Sequence, residues 1–202
     1  MDLSSWDIKQ LEPFLPLIFP LLVFGAVFFF FTIDSRKKKE VLGRLALRFQ
    51  GEVGGFFHQS FRGAYEGIPF SLTLIPAGKN TPPYLVIELF KSLPFTLQVQ
   101  KEGVLTGIGK NLGFVKEVAV PDPAFDDQFF VRSDKPGPAA SYLERPEVRQ
   151  AIVAVFAQGF DALVIGKRCL YVRKPDYAFP ADLEADRVAE ILRTLVSFPT
   201  VL

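Results

Sequence analysis

The chain has 202 residues, 49% of them hydrophobic and 22% charged, with 23 Lys and Arg against 22 Asp and Glu. This near-neutral balance lacks the basic face that phosphate binding needs, so nucleic acid is not an expected partner. One cysteine, Cys169, and one histidine, His58, exclude an internal disulfide, a cysteine-based metal site and a histidine cluster for zinc or iron.

The charges are unevenly placed. Residues 1–35 carry −3, Arg36-Lys37-Lys38-Lys39 carry +4, and residues 40–202 hold 18 charges of each sign. Between Pro13 and Ile33 no charge occurs, and the run PFLPLIFPLLVFGAVFFFFTI is long enough for a helix to match a hydrocarbon core of ~30 Å. With cations directly after it and Asp2, Asp7 and Glu12 before it, the pattern reads as a single-pass transmembrane helix over 13–33. The N-terminus would then lie outside and the remainder inside, in the inner (plasma) membrane of a bacterium. A signal peptide fits less well, because the start is acidic and Phe28 to Phe31 stand where small residues are needed. A buried soluble helix fits less well too, since four consecutive phenylalanines face all directions. Residues 1–12 then form a short extracytoplasmic tail. Trp6, Arg36, Lys37, Lys38 and Lys39 are the expected membrane-interface residues, and anionic lipid is an expected partner.

Residues 34–50 read as a basic juxtamembrane helix, with Val41, Leu42, Leu45 and Phe49 at helical spacing and Gly51 as a stop. Residues 51–202 read as one domain. Strand patterns fall at Phe61–Tyr65, Pro69–Ile75, Tyr84–Phe90 and Phe95–Gln100, the second and fourth alternating apolar with polar. Their connectors, Ala77-Gly78-Lys79-Asn80 and Lys101-Glu102-Gly103, are hairpin-like and leave no room for crossover helices. Gly103 to Gly113 reads as a loose connector, and Val115 to Arg132 as an extended run broken at Pro121 and Pro123. Helices are expected at Pro138–Leu143, at Pro146–Gln158 with Gly159 as its cap, and at Ala181–Ser197. Ala162–Ile165 and Cys169–Arg173 form a predicted hairpin. The expected class is α+β: one N-terminal transmembrane helix, then a mainly antiparallel sheet with helices on one face. Phe70, Leu72, Leu97, Val99, Phe129, Ile152, Val155, Ile191 and Leu195 are the expected core.

The stretch Gly109 to Ile152 contains Phe125-Asp126-Asp127-Gln128-Phe129-Phe130-Val131 and then Pro146-Glu147-Val148-Arg149. In this F-D-x-x-F-x-V motif the chain resembles a group of uncharacterised bacterial single-pass membrane-anchored proteins. The resemblance covers roughly a quarter of the domain. It implies a fold class and a location, and it carries over no catalytic or ligand residue.

Several local patterns invite chemistry. Gly107 to Gly113 is not a phosphate loop, because Asn111 follows Lys110 where Ser or Thr is required. Asp122, Asp126 and Asp127 are a candidate acid–base or cation cluster, but Asp beside Pro is first of all a turn former. His58 has no nucleophile elbow anywhere in the chain. Cys169, in an apolar run, reads as a small buried hydrophobe. With no catalytic constellation and no cofactor motif, the expected function is non-enzymatic: a membrane-anchored protein-binding module or accessory subunit of a membrane protein complex, partnered by other membrane proteins. The rival is a membrane-tethered enzyme or small-molecule sensor with a pocket between sheet and helices.

Overall fold

The computed structural model describes residues 15–55, 59–101, 116–120 and 122–199. The chain divides into two units, Met1–Glu40 and Val41–Leu202. The first helix, α1 (Leu15–Phe49), begins in the first unit and ends in the second. Within the first unit, Phe19, Leu21, Leu22, Phe24 and Phe29 are exposed, and Lys38 pairs with Asp34 one turn earlier at 2.5 Å.

The expected transmembrane helix over 13–33 has to be corrected. Among the described residues no helix is long and apolar enough to cross a membrane. The expectation rested on an uncharged run bounded by a charge step, with the helix of residues 34–50 continuing from it. The helix continues through Asp34, Arg36 to Lys39 and Glu40 without a break, so the apolar run and the expected juxtamembrane helix are one element. Glu, Lys, Arg and Leu are all good helix formers, and nothing in residues 34–49 stops the helix. Pro20 lies inside it, while Pro13 and Phe14, both counted into the expected span, lie outside the described residues. The single-pass anchoring, the inner-membrane localisation and the outward N-terminus rested on that span and are set aside with it.

The second unit is built on one nine-stranded sheet in the order β1-β2-β3-β4-β9-β8-β5-β7-β6, with every neighbouring pair antiparallel. In chain order the strands are β1 (Glu52–Gly54), β2 (Ser60–Tyr65), β3 (Ile68–Ile75), β4 (Tyr84–Leu89), β5 (Leu97–Lys101), β6 (Lys116–Glu117), β7 (Phe129–Ser133), β8 (Ala162–Ile165) and β9 (Leu170–Pro175). The helices are α2 (Pro123–Asp126), α3 (Pro136–Glu144), α4 (Pro146–Ala157) and α5 (Ala185–Val196). The α+β class with a large antiparallel sheet stands.

Local chemistry explains several joints. β2 and β3 meet through a two-residue loop, Glu66-Gly67, in which both residues have positive φ, the turn that matches strand twist. α4 starts at Pro146, which needs no N–H partner there, and just beyond its C-cap Gln158 the chain turns at Gly159, whose φ of 90° suits a residue without a side chain. Strand alternation then builds the core. Phe61, Leu72, Ile87, Val172, Leu163, Val99 and Val131 stand in register across seven strands and are all buried. The helices cover this face. Phe49 of α1 packs edge-on to Phe70 at 5.4 Å, Tyr142 of α3 meets Phe95 at 5.8 Å, and Phe156 of α4 meets Phe129 at 4.9 Å. All nine expected core residues are buried.

Other expectations need adjustment. β4 and β5 are not neighbours, because the hairpin β8–β9 is inserted between them. β5 and β6 are separated by β7, so Lys101-Glu102-Gly103 does not join paired strands. In the run Val115–Arg132 the break expected at Pro123 is a short helix, α2. The last expected helix is divided into a 3-10 turn, Ala181–Leu183, and α5. The division falls at Glu184, whose ψ of 138° is extended. Within the turn, the Asp182 carboxylate accepts from Lys174 Nζ at 2.6 Å and from the Ala178 N–H at 2.8 Å, which ties the turn to β9.

Candidate functional site

A concavity of the second unit lies between α2 and α4. α2 is short and exists because Asp122 caps it: the carboxylate accepts from the Phe125 N–H at 3.3 Å, and Pro123 takes the first helical position. Its Phe125 is buried against Phe129 at 4.8 Å, which anchors the turn to the sheet. Opposite stands Arg149, one turn into α4. Its Nη1 donates to the Leu143 and Glu144 carbonyls at 2.6 and 2.9 Å, and its Nε lies 3.1 Å from Asp122 Oδ2. One guanidinium therefore ties the end of α3, the start of α4 and the cap of α2 together, a use that its planar fork of donors suits.

These elements enclose an open groove of about 420 Å³. Its walls are Ala124, Phe125, Pro146, Val153 and Ala154, with Asp122, Gln128, Arg149 and Gln150 at the polar margin. Val153 is 44% exposed. A second groove of about 410 Å³ runs along the other side of α4, bounded by Ala151, Ala154, Thr194 and Ser197, with Glu147 and Arg193 at its rim. The outer ridge of α4 thus stands between two grooves and carries Gln150 and Ala154, which line both, while Val153 faces the first.

The acidic cluster singled out in the sequence sits at this site without converging. Asp122 is used as cap and ion-pair partner, Asp126 Oδ1 accepts from the Val120 N–H at 3.3 Å, and Asp127 ends α2. Among the described residues, no group of three or more His, Cys, Asp or Glu could hold a metal ion. Cys169 lies half-buried in the β8–β9 turn. Burial, and then the nearby Glu88, push its thiol pKa up, which leaves it a poor nucleophile. Arg36, Lys37 and Lys39 are exposed on α1. Trp6, His58 and Gly107 to Gly113 lie outside the described residues.

The face of the sheet away from the helices is mainly polar, and Ser71, Gln98 and Gln100 are buried in it. Ser71 donates to Glu88 at 3.0 Å, and Arg173 makes a two-bond pair with Asp161 at 2.9 and 2.5 Å. Burial works against the Arg173 charge, but the Asp161 hydrogen bonds outweigh it and raise the Arg173 pKa. Burial also raises the pKa of Tyr171 on this face. These are stable pairings rather than reactive ones.

Arg149 and the α4 grooves were missed in the sequence. A signal was present: Arg149 is the last residue of Pro146-Glu147-Val148-Arg149, and an arginine in the first turn of a helix opposes the macrodipole unless anions or carbonyls meet it.

No protein-family model matches the chain, and no curated protein matches it. Among solved structures it is similar to the crystal structure of the mycobacterial trehalose monomycolate transport factor A. The TM-score is 0.53 and the identity 12%, and the likeness covers 83% of this chain and 97% of that one. At that identity the likeness concerns the fold alone.

Proposed function

We propose that this chain is a non-enzymatic accessory subunit that binds another protein, on the pattern of a transport factor. The observation that carries this reading is the pair of grooves flanking α4. The first is lined mainly by apolar side chains, the exposed Val153 among them, and the second by alanine, threonine and serine with polar and charged groups at its rim. Such a ridge with grooves on both sides accepts the side chains of a partner helix. Three of the four polar groups at the first groove are already engaged: Arg149 by two carbonyls and Asp122, and Gln128 Nε2 by the Ala124 carbonyl at 2.7 Å. A pocket for chemistry would instead present unengaged groups to a substrate. The fold likeness to a transport factor adds support, because that protein is itself named as a factor in transport.

The test is site-specific photo-crosslinking in cells. A crosslinker at Val153 or Gln150 should capture one defined protein, while a crosslinker at Arg62, on the helix-free face, should not. Capture of the same protein from Arg62 alone, or none from α4, would refute the assignment.

A further inference from the structure

We draw no further inference here: the strongest candidate, the pair of buried carboxamides Gln98 and Gln100 on the helix-free face of β5, carries nothing because their unpartnered amide atoms are enclosed on every side and leave no space beside them for a ligand.

Discussion

Replacing Phe129 should damage the protein far more than removing the charges of the two aspartates beside it. Phe129 is 4% exposed, and its ring is held between Phe125 at 4.8 Å and Phe156 at 4.9 Å. Phe129→Ala removes the transfer energy of the ring and leaves a cavity, together about 3–5 kcal/mol. For a chain of this size each kcal/mol shifts the midpoint by roughly 2–4 °C, so Tm should fall by about 6–20 °C. Asp126→Asn keeps an oxygen in reach of the Val120 N–H, and the bond is already long at 3.3 Å. Even its full loss costs ~1 kcal/mol. Asp127 is exposed, so Asp127→Asn should stay within about 0.5 kcal/mol. Thermal and urea melts of the three purified variants, run beside a cellular assay, give the ordering. A Phe129→Ala loss below ~1 kcal/mol would refute the packing argument. A carboxylate variant with normal Tm and no function would place chemistry at the turn and overturn the non-enzymatic reading.

Four further outcomes follow from the geometry. Arg149→Met removes two hydrogen bonds to carbonyls and an ion pair, and should cost about 2–3 kcal/mol after allowance for solvent screening, measured by urea denaturation. Tyr142 has its pKa pushed up to about 12 by burial, so the unfolded chain ionises first as pH rises past ~10 and binds fewer protons than the folded one. Its contribution is therefore complete below pH ~10 and lost as pH climbs towards 12; Tyr142→Phe should flatten that fall while costing ~1 kcal/mol at neutral pH through the lost bond to the Pro199 carbonyl. Val153→Arg should leave stability within about 0.5 kcal/mol and abolish partner capture by a crosslinker at Gln150. Gln98→Met replaces an enclosed amide with an apolar group of similar shape, and urea melts should show no loss or a gain of about 1 kcal/mol.

Period carried much of the fold. The alternation of Phe70, Leu72 and Leu74, and of Leu97 and Val99, identified the buried face of β3 and β5, and the helical stripe Val148, Ile152, Val155 identified the buried side of α4. What period cannot supply is adjacency between distant segments. β4 pairs with β9 because both present apolar residues at the same levels, Ile87 opposite Val172 and Leu89 opposite Leu170, and many other strands offer such a pattern. α2 was legible in principle. Asp122-Pro123 is a cap followed by a favoured first residue, but two prolines nearby read as a break. The apolar run of α1 shows a different limit. Charge marks a boundary in solvent preference, whereas the helix ends only where the backbone turns, at Gln50 with φ of 49° and at Gly51. Gly51 is needed there, since a side chain would meet the Arg62 carbonyl oxygen at 2.0 Å.

The candidate site was less legible for a physical reason. Catalytic and metal sites announce themselves through residue type, because few side chains can do the chemistry. A docking groove is made from the absence of bulk, and Ala124, Ala154 and Pro146 look in sequence like any helix surface. The groups that shape it also act through the backbone. Arg149 recognises the Leu143 and Glu144 carbonyls, which any residues at those positions would provide, and only its third partner, Asp122, is a side chain. The acidic residues that drew attention in the sequence therefore belong to the site for another reason than their chemistry. Asp122 fixes α2 against α4 and so sets the width of the groove, while Asp126 holds the strand-side backbone at Val120. If this division is right, Asp122→Ala should alter partner capture at Gln150 through the geometry of α2, and Asp126→Asn should not. Equal loss from both would mean that the carboxylates themselves, and not the groove they frame, are what the partner recognises.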